Sequence, residues 1–240
     1  MELHHVSGPH PAGNVGVQIH KINPINQGER VWTVNPENVS VIGDLFLTGR
    51  YLAKRTIALT GSEAKDRKYY DTLIGASAAD LIGQVPDDIR IISGNVLTGT
   101  KLSNNQYIGF FDNALTLIPE GNNYRMFGWL PFTYNNIHSN SKTSLSWMFP
   151  NKKFKPTTNL NGEERALVVT GEMEEVLPMD LFPMQLIKAC MAGDIEKMEN
   201  LGIYEVAPED FAAVEYVNTS KIEIQEVIRL GLDLMITEVG

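Results

Sequence analysis

The sequence predicts an α+β protein built from several parts, and three observations carry that prediction. Charge is unevenly placed: residues 1–162 hold 15 basic and 12 acidic side chains, whereas residues 163–240 hold 5 and 17. Aromatic side chains are concentrated too, with 11 of the 20 falling between positions 105 and 160. The hydrophobic pattern changes from short β-like runs to helical spacing after Phe182. These steps divide the chain into residues 1–54, 55–104, 105–162 and 163–240, the last an acidic helical domain that begins after Asn161-Gly162.

Residues 1–54 read as alternating α/β material. Glu2 to Val6, Arg30 to Val34 and Val39 to Ile42 have strand-like composition, and Asp44 is a candidate N-cap for a helix through Leu52 that contains Gly49. This is too little for a complete doubly wound sheet. It fits the C-terminal part of a Rossmann-like domain whose beginning lies outside these residues. From Arg55 the pattern is that of a small α+β unit. Thr56 to Gly61 is a strand ending in a turn glycine, Tyr69 to Ile74 a second strand, Ala76 to Ile82 a short helix stopped by Gly83, and Ile89 to Ile92 a returning strand.

In residues 105–162, Tyr107–Phe111, Ala114–Ile118 and Tyr124–Trp129 read as short antiparallel strands broken by Pro119-Glu-Gly121. Asn135 to Ser144 is polar, without period, and reads as a loop. The aromatics here are expected mainly to pack a core, with a partner surface and a quinone site as the alternatives. The last 78 residues predict four amphipathic helices in a small bundle. Phe182 to Met191 is the first. Asp194 caps a second that Gly202 stops, Pro208 suits the first turn of a third, and Ile224, Val227, Ile228, Leu232 and Met235 line one face of the last.

Composition excludes several functions. No apolar run approaches the ~20 residues of a membrane span, no signal peptide is recognisable, and the single Cys190 forbids an internal disulfide framework, so the chain reads as cytoplasmic. A net charge of −9 with no basic stripe argues against nucleic acid. Gly8-x4-Gly13 has the glycine spacing of a phosphate loop, but Asn14 and Val15 stand where Lys and Ser/Thr are required. His4, His5 and His10 are close in sequence, yet adjacent strand residues face opposite ways and no thiol is near, so a metal site is not expected. Cys190 lies among Leu186, Ile187 and Met191, the setting of an inert thiol, and neither His20 nor His138 has triad context.

Two stretches have the frame of a cysteine run without its cysteines. Leu167, Thr170, Met173 and Leu177 fall at the spacing of C-x2-C-x2-C-x3-C before Pro178, and Pro208, Phe211, Val214 and Asn218 repeat it. An iron–sulfur cluster needs thiolates at such positions, and Leu, Met or Phe cannot supply them. Their apolarity suits helices held by packing instead.

Together with Gly8-Pro-His-Pro-Ala-Gly13-Asn-Val-Gly16, Val31-Trp-Thr-Val34, Gly49-Arg50, Ile92 to Gly99 and Leu177 to Pro183, these features resemble the family of A subunits of the bacterial sodium-translocating NADH:quinone oxidoreductase. That family is related to the C subunit of the Rnf complex, which does carry the twin cysteine runs. The resemblance covers nearly the whole chain and implies the C-terminal portion of a longer polypeptide. It places a β-grasp (soluble-ligand-binding) module at 55–104 and makes the helical part resemble a ferredoxin-type domain without its clusters. It implies a peripheral component on the cytoplasmic side of the inner membrane, without a redox centre of its own, with FAD, FMN and iron–sulfur centres on partner subunits. The membrane-embedded B subunit is the expected neighbour and ubiquinone a possible ligand. No residue is singled out as catalytic, cofactor-binding or metal-binding; His10, Arg50 and Trp129 are the partner or quinone-side candidates. The alternatives are an independent small-ligand-binding module and a flavin- or nucleotide-binding redox subunit.

Overall fold

The computed structural model describes residues 2–121, 123, 126, 127, 130 and 145–240. Its chain forms two compact units, one of residues 1–33 with 162–240 and one of residues 34–161.

The second unit is built on a five-stranded mixed sheet. Strands β1 (Lys54–Thr60) and β2 (Tyr69–Leu73) pair antiparallel with Lys54 opposite Leu73 and Ala58 opposite Tyr69. Helix α3 (Ala78–Ile82) follows, then β3 (Ile89–Ser93), β4 (Thr100–Leu102) and β5 (Ala114–Pro119). The spatial order is β2-β1-β5-β3-β4, so the last strand in sequence lies at the centre. β5 runs parallel to β1, with Ala58 opposite Ala114, and antiparallel to β3, with Ile91 opposite Leu117. Burial follows from that position. Arg55, Ile57 and Leu59 alternate inward along β1, whereas Leu115, Thr116, Leu117 and Ile118 of central β5 are buried in succession. Ile57, Leu59, Ala78, Ile91, Ile108, Leu115 and Leu117 make the core, with Leu81 and Ile82 of α3 packed against it.

Several expectations for this half are corrected. Residues 2–51 contain no strand among those described; Val39 to Ile42 lie inside helix α2 (Pro36–Thr48). The β-branched residues there suggested a strand. However, Pro36 at the first helical turn pre-sets φ, and Gly49 ends the helix in the left-handed region at φ 68°, so the helix starts and stops earlier than the Asp44–Leu52 expected. Tyr107 to Phe111 is not a strand either: Tyr107 makes one isolated bridge with Ser77, and the Asp112 amide donates to Gly109 O at 3.1 Å to close a turn. Ala114 to Ile118 is a strand, in the same sheet as β1. Tyr124–Trp129, but for Met126 and Phe127, and Asn135–Ser144 lie outside the described residues.

The first unit is helical. Helices α4 (Pro183–Ala192), α5 (Ile195–Asn200), α6 (Ala212–Val217) and α7 (Ile224–Glu238) follow one another with 3-10 turns at Ile203–Glu205 and Pro208–Phe211. Asp194 caps α5 by accepting from the Lys197 amide at 3.1 Å. Helix α1 (Val15–Ile22) joins this unit from the other end of the sequence, with Val17 and His20 buried one turn apart. The core unites Val17 with Met173, Leu177, Leu186, Ile187, Met198, Phe211, Val214, Ile224, Ile228 and Met235.

Candidate functional site

The frame positions of the two cysteine-like runs lie in the first unit. Met173, Leu177, Phe211 and Val214 are members of its apolar core, and Leu167 packs against it. Pro208 and Asn218 are also buried, the latter with its amide nitrogen 3.4 Å from Ile222 O; Thr170 is exposed. Where a ferredoxin would place thiolates around metal, this chain places side chains against one another. The interior so formed is packed mainly by apolar side chains and has no thiolate at those positions. Among the described residues no three His, Cys, Asp or Glu side chains come together as a metal-binding group.

The loop from Gly8 to Gly16 leads into α1 and is fixed to the C-terminal helices. Its backbone turns twice, through Ala12 N–H to Pro9 O at 3.0 Å and Asn14 N–H to Pro11 O at 2.8 Å, with a cis peptide between His10 and Pro11. Asn14 Nδ2 donates to Glu209 O at 3.0 Å. The Asp210 carboxylate, itself fully buried, abuts the start of α1. A Cβ on Gly16 would stand 1.9 Å from Asp210 Oδ2, so only glycine allows this approach. Oδ2 also accepts from the Ala207 amide at 3.0 Å, while Oδ1 has no hydrogen-bond partner. Burial, helped by the neighbouring Glu209 charge, pushes the Asp210 carboxyl above its ordinary value against the Ala207 amide that it accepts from. The amide end of α1, which a phosphate loop would offer to a nucleotide, is therefore taken by the chain's own carboxylate.

Further along α1, His20 is buried. Nε2 accepts the Asp180 amide at 3.1 Å, and Nδ1 lies 2.8 Å from Glu205 Oε2 without the alignment of a hydrogen bond. Sequence reasoning found no role for His20 because its partners lie 160 and more residues away. Cys190 has its thiol pushed up to about 11 by burial, which suits a packing residue.

In the second unit, polar groups close the sheet at two points. Ser93 Oγ donates to Asp112 Oδ2 at 2.5 Å and accepts the Gly109 amide at 2.9 Å. Glu120 receives Arg90 and Thr158, with Lys101 Nζ 3.4 Å away, and these hold its carboxyl down at about 2. The turn anchored by Asp112 carries Phe110 and Phe111 at its corners, edge to face at 4.9 Å and both more than half exposed. Tyr107, Phe127, Trp147 and Phe149 are exposed as well. Core packing is thus not what these six aromatics do, because among the described residues of the expected antiparallel region only β5 builds into a sheet.

Of the three candidates read from sequence, His10 is exposed on the loop of the first unit. Arg50 is exposed just after α2 in the second, its amide donating to Thr48 Oγ1 at 3.3 Å. Trp129 lies outside the described residues.

Comparison with known proteins gives this arrangement its context. Residues 1–51 match the family described as the NqrA second alpha/beta domain, and residues 56–104 match the NQRA C-terminal domain. The chain is 37% identical over 236 residues to the A subunit of the Na(+)-translocating NADH-quinone reductase of Neisseria meningitidis, covering 97% of this chain and 53% of that protein. It is 34% identical over 241 residues to the protein of the same name in Vibrio campbellii, and 37% identical over 228 residues to that of Hahella chejuensis. The chain thus spans about half the length of the relatives it matches. No helix among the described residues is long and apolar enough to cross a membrane.

Proposed function

We propose that this chain, homologous along 97% of its length to the A subunit of the Na+-translocating NADH-quinone reductase, is the C-terminal portion of such a polypeptide and serves as a peripheral, non-catalytic part of the sodium-pumping complex. The observation that carries this is the similarity over 236 residues, which takes in both units. The apolar filling of the frame positions supports the absence of a redox centre at those positions. Electrons would pass through FAD, FMN and iron–sulfur centres on partner subunits, and this chain would contribute binding and assembly. The membrane-embedded B subunit is the proposed neighbour, on the cytoplasmic side of the inner membrane, with quinone as the proposed ligand at that junction.

The mixed sheet with β5 between β1 and β3 supports a β-grasp module, one that takes its central strand from beyond residue 104. The helical unit is proposed to be a ferredoxin-type scaffold without clusters. The four-part division at 54, 104 and 162 is carried as part of the same proposal, with residues 1–54 as a partial Rossmann-like segment. His10, Arg50 and Trp129 are proposed contacts toward the partner or quinone, and the exposed Phe110–Phe111 turn suits an apolar partner surface. The test is purification of the tagged chain from gently solubilised membranes. Recovery of the other subunits with sodium-stimulated NADH:quinone activity supports the proposal; recovery of the chain alone overturns it.

A further inference from the structure

The stretch from Trp147 to Lys155 sets exposed apolar side chains beside a run of lysines. A 3-10 turn (Leu145–Met148) presents Trp147 and Met148, and a second turn follows at once, closed by the Lys152 amide donating to Phe149 O at 3.0 Å. Trp147, Met148 and Phe149 are 54%, 53% and 54% exposed, and none belongs to the core of this unit. The lysines come next. Lys153 and Lys155 are exposed, and Lys152 Nζ lies 5.7 Å from the Phe154 ring centroid.

The fold adds cations to this run. Lys155 Nζ is ion-paired with Glu63, and Thr158 Oγ1 donates to Glu120 Oε1 at 2.9 Å, so the segment is tied down beside the β1–β2 connection. That connection carries Lys65, Arg67 and Lys68, all exposed. Residues 63–68 and 152–155 together hold six basic and two acidic side chains, a local positive excess in a chain of net charge −9.

Cations and large apolar groups in one patch call for a surface that is anionic and apolar at once. A bilayer of acidic phospholipids is such a surface. Its phosphates attract lysines, and its headgroup–acyl boundary takes tryptophan and other large apolar side chains. A protein partner fits less well, because its interfaces favour arginine and are depleted of lysine, and every cation of the segment is a lysine. We propose that Trp147–Lys155 docks directly on an anionic phospholipid bilayer, with Trp147, Met148 and Phe149 at the headgroup boundary and the lysines on the phosphates. This rests on the proposed peripheral place of the chain at a membrane and deepens it, since the lipid contact needs no partner subunit.

Co-sedimentation of the purified chain with vesicles tests the proposal. Binding to phosphatidylcholine vesicles that contain phosphatidylglycerol, none to phosphatidylcholine alone, and release by high salt are expected. Lys152→Gln combined with Lys153→Gln should weaken binding at low salt roughly twentyfold, near fivefold for each lysine. Trp147→Ser combined with Phe149→Ser should weaken it by about tenfold or more, through the lost apolar burial. Neither pair should shift thermal unfolding; a shift would show that these side chains pack within the chain, contrary to the proposal. No binding, equal binding to both kinds of vesicle, or binding that either pair leaves intact overturns it. In membranes, p-benzoylphenylalanine at Phe149 is expected to cross-link to phospholipid on irradiation, and an adduct with a protein or a second copy instead overturns it too. Recovery of other subunits with sodium-stimulated activity reports separately on membership of the pump.

Discussion

Glu205 turns one carboxylate oxygen to within 2.8 Å of Nδ1 of His20, tying the first helix of the chain to a short turn near its far end. Because the other ring nitrogen takes the Asp180 amide, one imidazole joins three segments that are distant in sequence. With Asn14 on Glu209 O and the Asp210 carboxylate against Gly16, it makes the N-terminal segment an integral part of the helical unit.

His20→Ala should therefore destabilise the helical unit by roughly 2–3 kcal/mol, the cost of a buried cavity with an unpaired amide. Urea unfolding monitored by amide exchange in α1 and α4 measures it. A change within about 0.5 kcal/mol, as for surface substitutions, would contradict the anchoring role.

Asp210 predicts a dependence on pH with a definite sign. Its carboxyl is pushed above the ordinary 3.8, so the folded state binds this proton more tightly than the unfolded one. The contribution to stability is full below 3.8 and is lost as pH rises through the raised folded value. Asp210→Asn removes this dependence. Stability of the native chain minus that of the variant should fall with rising pH across that window; parallel curves would contradict the prediction.

Glu120 predicts the opposite sign. Held at about 2 by Arg90 first, and by Thr158 and Lys101, its contribution is present above the usual 4.5 and fades as pH falls toward 2. Glu120→Gln should cost about 1–3 kcal/mol at neutral pH, as for hydrogen bonds to charged groups, read by amide exchange in β3 and β5. The deficit should shrink in acid; an equal deficit at pH 3 and pH 7 would refute the assignment.

Phe211 stands at a frame position and is fully buried, so Phe211→Ala should cost about 3–5 kcal/mol. The midpoint of guanidinium unfolding at unchanged slope gives the value. A loss below about 1 kcal/mol would mean that the core does not depend on the side chain standing where a thiolate would be.

What the sequence made legible was local. Asp194 before Ile195, the Ile224–Ile228–Met235 spacing, and the strands at Thr56, Tyr69 and Ile89 are all encoded within a few residues, and all appear in place. Val39 to Ile42 was misleading because β-branching favours strands, whereas Pro36 and Gly49 decide for a helix. β4 is three residues long and gives almost no periodic signal. The pairing of β5 with β1 joins Ala114 to Ala58 across the whole module, which no local pattern reveals. His20 was opaque for the same reason: an isolated histidine in a helix announces neither Asp180 nor Glu205.

The central claim is membership of a sodium-pumping NADH:quinone reductase. The most direct measurement is NADH:quinone reductase activity, with and without sodium, in membranes from cells that lack the chain and from cells in which its expression is restored. Sodium-stimulated activity that disappears with the chain and returns with it is the predicted result. Sodium-stimulated activity that is unchanged in its absence would contradict the account.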